Sequence, residues 1–406
     1  MFNVTLNPNL YKVLYPNGIP FNDLSRDAFV RDAKRTTNSY GLGGKNREVT
    51  IDEAGTGGGS PDFAVANANK GRSKQVTFTV TRAKLYEIIA VDNESIMASK
   101  GDKSAIVELA KHAADHAGKN FARNTTLMAW SLGGGSLGVV SSISGATITL
   151  ATPADAIRFQ VGDRIELSED DGTGAAPAGV QAGGPIVVES VNYSAGTVTF
   201  ATDVVGAIAA ADAGDYLHKE GWYGNAMTGV PGWIPISTPG SGESFFGVDR
   251  SEGNVTVRSG IRFTATGASK LDRLIDATST FHLYGAENVT RMCTNSLDFG
   301  ELQKELRVQG YLDMATAGKA TVSAKTLMVP GANGPIEVTG HRWVPKGYCW
   351  GLTMDTWELA SAGEWGHITT QGQWRDAETS DSKEMRLAGY GNFICKQPDQ
   401  NGVFQW

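Results

Sequence analysis

Residues 134–138 read Gly-Gly-Ser-Leu-Gly, a letter-for-letter match to GxSxG, the strained turn that presents a serine nucleophile at a helix N-terminus. That chemistry needs a strand before the serine and a helix after it. Here a helical pattern precedes and a strand pattern follows, so the segment reads as a flexible linker between domains. His112 and His116 stand four residues apart on a helical stretch, a spacing that lets two imidazoles share one metal ion. The sequence between them, Ala-Ala-Asp, supplies neither the glutamate of HExxH nor a third ligand, and the pair reads as solvated or as part of an interface. Glu169-Asp170-Asp171-Gly172 lacks the alternating ligands and closing glutamate of a calcium loop and reads as an exposed turn. The glycines within 41–44 and 55–59 neither follow a strand nor open a helix, as a phosphate-binding loop requires.

Cys293, Cys349 and Cys395 are odd in number and widely spread, so no disulfide framework or CxxC metal site is encoded, and a reducing compartment is expected. No nucleophile–base pair and no paired catalytic acids can be picked out. No catalytic, cofactor-binding or metal-ligating residue is therefore assigned, and the chain is expected not to be an enzyme.

At 406 residues the chain is too long for one ordinary core and suits two or three packed units. Its 50 glycines are about 12 % of the residues against a usual ~7 %, which implies many tight turns. The net charge of −7 argues against a general nucleic-acid binder, which needs clustered positive charge. The charge is uneven: residues 1–130 hold 17 Lys and Arg against 13 Asp and Glu, whereas residues 131–220 hold 3 against 11. No signal-like leader or membrane-spanning run is seen, so synthesis in the cytosol without membrane contact is expected.

Along the chain, residues 1–45 read as an extended arm with one short helical candidate at 23–35. Val49 and Ile51, then Val76, Phe78 and Val80, alternate with polar residues and predict a long hairpin of half-buried strands. Its connection of about twenty residues exceeds the usual ~12–15 of an ordinary loop. Ile106, Ala110, Ala113, Ala117, Phe121 and Met128 recur with helical period, predicting one long helix from an N-cap at Asp102 to Trp130. Residues 133–220 contain a repeat: Ala146-Thr-Ile-Thr-Leu-Ala-Thr152 matches Gly196-Thr-Val-Thr-Phe-Ala-Thr202 at an offset of 50. Two such units predict a small inserted β-barrel. Helices follow near 271–281 and 295–310, then strands at 325–329, 336–339 and 349–359, and a last alternating strand at 385–396.

EMRLAGYGNFICKQPDQNGVF at 384–404, TRMCTNSLDFGELQKEL at 290–306 and GLTMDTWELASAGEW at 351–365 resemble segments of the major capsid protein of tailed bacteriophages, the Hong Kong 97 type, and the element order resembles it too. The resemblance implies an α+β fold with an N-terminal arm at 1–46, an extended hairpin loop and its return at 47–99, and a spine helix at 100–132. After the inserted β-barrel at 133–219 it implies an axial domain at 220–345 and a peripheral β-ribbon at 346–406. It further implies a virion protein, assembled in the cytoplasm of a host bacterium, that forms hexamers and pentamers of an icosahedral shell around non-specifically contacted double-stranded DNA. A separate scaffolding protein, a portal protein and a decoration protein are the implied partners. The runner-up is a tail or baseplate adhesin whose β module binds a glycan, and a metal-dependent hydrolase comes third. The shell is expected to be non-covalent, although Lys70, Lys74, Asn392 and Asn401 are of the residue types that join neighbours in some relatives. The acidic barrel is expected on the outer surface, away from packaged DNA.

Overall fold

The structure, a computed structural model, describes residues 27–37, 44, 46–55, 59–71, 73–94, 103–174, 177–308, 326–331, 334–368, 375–378 and 380–406. The arm before residue 27, Asp102 and Trp374 lie outside them.

The strand Ser382–Cys395 is the axis of the first sheet. One edge pairs antiparallel with Ala83–Asp92. The other takes Trp357–Ser361, His367–Ile368 and Arg375–Asp376 in succession, and Lys34–Thr36 of the arm lies parallel to Trp357–Ser361. The long helix Lys103–Ala129 packs on Ala83–Asp92. Ala117, Phe121 and Met128 of its stripe are buried, as helical period requires, and Trp365 sits 5.8 Å from the Phe121 ring.

The second sheet runs in the order Ile261–Thr264, Gly402–Gln405, Tyr348–Leu352, Arg291–Asn295, Gly334–His341, Thr326–Gly331. Helices Lys270–Leu283 and Ser296–Val308 cover it, burying Leu274, Phe281, Leu302, Val338 and Phe404. Two strands from the expected terminal ribbon, Tyr348–Leu352 and Gly402–Gln405, thus belong to this sheet. The run read as one strand over 349–359 is broken by a 3-10 turn at Met354–Thr356, where the chain passes from the second sheet to the first. At the break Thr353 Oγ1 donates to Gln400 O at 2.7 Å, with Asn288 O 3.0 Å from the same hydroxyl, so a side chain bridges the two segments where strand pairing stops.

The repeat forms a closed barrel of six strands. Thr147–Leu150 pairs with Thr197–Phe200 with Ile148 opposite Val198, Thr147 opposite Thr199 and Thr149 opposite Thr197, the register of a two-fold axis between equivalent residues. The third strand of each unit crosses over: Arg164–Ser168 pairs with Ile186–Asn192, and Tyr216–Lys219 with Ser136–Ser144. Neither unit closes alone, and the shared interior of Leu137, Phe159, Ile165, Leu167, Phe200 and Leu217 is almost free of solvent.

The glycines at the barrel's root differ from the expected flexible linker. A Cβ on Gly134 would lie 1.8 Å from Asp171 O, and Gly134 O accepts from Gly224 N at 3.0 Å, so the segment is a close-packed junction of backbone on backbone. The substitution Gly134→Ala is expected to cost about 3 kcal/mol, the upper end of overpacking, because no flexible side chain can yield. Urea denaturation checks this, and an unchanged midpoint would restore the linker reading.

Candidate functional site

The arm and the hairpin are each held to the body by a few buried side chains, and those side chains are the candidate site. Asp27 caps the arm helix Ala28–Asp32: its Oδ1 accepts from Phe29 N (3.0 Å) and Val30 N (3.1 Å). Its Oδ2 accepts from Trp130 Nε1 at 3.2 Å and faces His341 Nδ1 at 3.2 Å. Burial opposes charge on His341, but the adjacent Cys293 and Asp27 outweigh it and hold the imidazole up to about 10. Burial likewise opposes the Asp27 carboxylate, and His341, the Val30 amide and Trp130 together hold it below its ordinary value. Phe29, wholly buried, meets Trp130, Trp357 and Phe393 at 5.6, 5.3 and 5.5 Å between ring centroids. Arg291 completes the anchor, donating from Nη1 to Ala28 O at 2.8 Å and pairing with Asp32 and Glu337. Residues 27–36 are therefore seated in their own subunit, by both sheets and the end of the long helix.

The hairpin, Asn46–Ala54 with Lys74–Thr81, buries Val49, Ile51, Phe78 and Val80, and the Phe78 ring meets Trp233 at a tilt, 5.4 Å between centroids. Two buried carboxylates fix it. Glu53 Oε1 accepts from Arg258 Nε and Asn254 N, both at 2.8 Å, and Lys74 Nζ lies 2.8 Å from Oε2. The Arg258 hydrogen bond is the chief reason its carboxyl is held down to about 2. Gly253, at φ +64°, makes room for it, since a Cβ there would lie 2.0 Å from Oε1. Glu358, 1 % exposed, gathers Arg47 (2.6 Å), Lys396 (2.6 Å) and the Thr36 hydroxyl (3.3 Å). Hairpin, arm strand and first sheet thus meet on one carboxylate.

Beyond Glu53 the connection leaves the body. It carries the helix Phe63–Ala68, capped by Asp62 Oδ1 accepting from Ala64 N at 2.8 Å, with no residue buried. Phe63 is 84 % exposed.

Lys70 lies on this connection, 3.2 Å from Asn67 Oδ1, while Lys74 is committed to Glu53. The two asparagines are not presented to neighbours. Asn392 accepts from Thr228 N (2.8 Å) and donates to Thr81 O (3.0 Å). Asn401, fully buried, accepts from Thr353 N and Trp357 Nε1, both at 2.9 Å, and donates to Gln397 O at 2.7 Å. Both amides staple crossings of this chain. Denaturing electrophoresis is accordingly expected to show one band at 43.0 kDa from any assembled form, and a ladder above it would overturn this.

The residues singled out for chemistry are not brought together. Ser136 opens a strand, Ser136–Ser144, with no helix N-terminus behind it. His116 is exposed, and the His112 side chain lies outside the described residues. Asp170 of the acidic turn is an internal brace, accepting from Tyr223 Oη (2.6 Å), Gly172 N (2.9 Å) and Ala178 N (2.6 Å). The three thiols are buried, and burial pushes Cys395 up to about 12. Among the described residues no three His, Cys, Asp or Glu side chains gather as a metal site.

Sequence reasoning missed Asp27, Glu53 and Glu358, although two of them carry a signal. Glu53 continues the period-two face of Val49 and Ile51, and Glu358 interrupts the apolar run Trp357-Leu359-Ala360. A carboxylate on a buried face needs a partner from elsewhere in the chain.

No protein-family model and no curated protein matches the chain. Among solved structures, a chain of the cyanophage A-1(L) capsid asymmetric unit aligns over 92 % of this chain and 90 % of its own, with a TM-score of 0.52 and 12 % identity. A chain from the capsid of a native GTA particle aligns over 93 % and 88 %, with a TM-score of 0.47 and 10 % identity. A seated arm, a projecting hairpin and a spine helix, in this order along the chain, with two sheets completed by the later strands, are the Hong Kong 97-type capsid fold, here with a small closed six-stranded barrel added.

Proposed function

We propose that the chain is a major capsid subunit: a structural, non-enzymatic protein that assembles into hexamers and pentamers of an icosahedral shell enclosing double-stranded DNA. The observation that carries this is the contrast within the hairpin. Its strands are locked to the subunit by Glu53 and Glu358, yet they hold out a capped helix that buries nothing and exposes Phe63. A rigidly aimed apolar tip that nothing covers among the described residues suits the surface of a second copy. A scaffolding protein, a portal protein and a decoration protein would be its further partners, and the virion its location. The domain division at 46, 99, 132, 219 and 345 is part of this proposal, with the first and last strands of 346–406 lying inside the axial sheet.

Negative-stain microscopy of the purified chain tests it. Closed shells or rings with five-fold and six-fold symmetry are expected. Fibres would favour the adhesin, and small globular oligomers at all concentrations would remove the capsid reading. Hydrogen exchange gives a second check: amides of 59–71 are expected to exchange freely in the lone subunit, since ordering costs about 1 kcal/mol per residue, and to gain protection on assembly. Equal protection in both states would count against a neighbour's surface.

A further inference from the structure

Trp343 is buried just beyond the strand Gly334–His341. The Arg342 guanidinium lies 4.0 Å from its ring centroid and that of Arg123, on the long helix, 5.6 Å from the same centroid. With Lys119 they line a cleft of about 460 Å³ bounded by the long helix, the end of the second sheet and Gln160 of the barrel. Arg123 is only partly satisfied. Its Nη2 donates to Ile157 O (3.3 Å) and Arg158 O (2.7 Å), while Nε and Nη1 are buried with no acceptor among the described residues.

The nearby carboxylates are spoken for. Asp163 faces Arg123 from the barrel, but its Oδ1 holds Lys219 at 2.9 Å and its Oδ2 accepts from Gln160 N at 2.8 Å. Asp27, at the far side of the cleft, is paired with His341. Three cations therefore converge on a concave site whose two nearby carboxylates, Asp163 and Asp27, are already shared with Lys219 and His341. Burying guanidinium donors without acceptors is costly, and two planar forks beside a lysine match an oxyanion in shape and hydrogen-bonding capacity. A single carboxylate would leave most of the charge uncompensated, whereas an anion with more than one negative charge balances it.

We propose that this cleft, with Arg123 at its floor and Lys119 and Arg342 at its rim, binds a phosphate group. The proposal is independent of the capsid reading. The phosphate comes either from a free or terminal phosphate or from a nucleic-acid backbone, and the chemistry recognised is the same.

Calorimetric titration of the full chain with inorganic phosphate and with tripolyphosphate, at constant ionic strength, is expected to show saturable binding at one site per chain. Because Arg123 also holds barrel carbonyls, the rim variants K119Q and R342Q carry the test, and each is expected to weaken binding about tenfold, or about 1.4 kcal/mol. Competition with a blunt DNA duplex, with and without 5′-phosphates, separates the sources. Displacement by both duplexes supports the site with backbone phosphate as the source; displacement by the phosphorylated duplex alone, or by neither, supports it with terminal or free phosphate. No saturable binding at millimolar phosphate, or binding unchanged in both rim variants, overturns the proposal. Microscopy of the same variants records whether particles form, so loss of the site and failure of the capsid reading are told apart.

Discussion

Phe29→Ala is expected to destabilise the subunit by about 3–5 kcal/mol, the range for truncating a wholly buried phenylalanine. The ring fills the space among Trp130, Trp357 and Phe393, three large groups held by the long helix and the first sheet, so little collapse into the cavity is available. The effect is expected to spread along the arm. Without Phe29 the Asp27 cap and the Arg291 contacts hold a helix of five residues, too short to persist by itself, and Lys34–Thr36 should leave its place beside Trp357–Ser361. Urea denaturation gives the loss, and hydrogen exchange at 34–36 gives its spread. A loss under about 1 kcal/mol would mean that the arm is not seated in its own subunit.

Replacing Glu53 should be as damaging and, unlike Phe29, dependent on pH. Removing the carboxylate in Glu53→Ala leaves Arg258, 7 % exposed, without its counter-charge, a loss of about 3–5 kcal/mol. The carboxyl is depressed from 4.5 to about 2 in the folded chain. A depressed acid contributes stability that is present above its unfolded value and lost as pH falls through its folded value, so the window runs from about pH 4.5 down to 2. The shift corresponds to about 3 kcal/mol, lowered here to about 2 because Lys74 is largely solvated. In Glu53→Gln the hydrogen bond to Arg258 can persist while the charge is gone. That variant should therefore trail the wild type by about 2 kcal/mol at pH 7 and converge with it near pH 2. Denaturation midpoints at both pH values decide the matter, and a constant gap would show that the charge is not what holds the hairpin.

The hairpin shows how far local pattern carries and where it stops. The alternation of Val49 and Ile51 with Phe78 and Val80 placed both strands, and the observed register sets Val49 opposite Phe78 and Ile51 opposite Val76. The same pattern could not tell that the strands lie on their own subunit, against Trp233 and Phe245, leaving only the connection to project. Asn401 makes the point from the other side. By type it was a candidate for joining neighbours, yet its amide is consumed by Thr353, Trp357 and Gln397, partners that no spacing announces.

What the sequence determined by itself was everything with a local period: the long helix, the hairpin, the two-fold barrel and the order of elements that resembles a capsid subunit. Each follows from side chains within a few residues of one another, or from a repeat that can be laid over itself. Tertiary structure alone decided the rest. The break at Met354–Thr356 divides one apolar run between two sheets, the Gly134 junction is tight because Asp171 returns to it, and Asp27, Glu53 and Glu358 become anchors only when residues as much as 322 positions away close on them. A buried charge is tolerable only with its partner, and where that partner stands is set by how the sheets and helix pack.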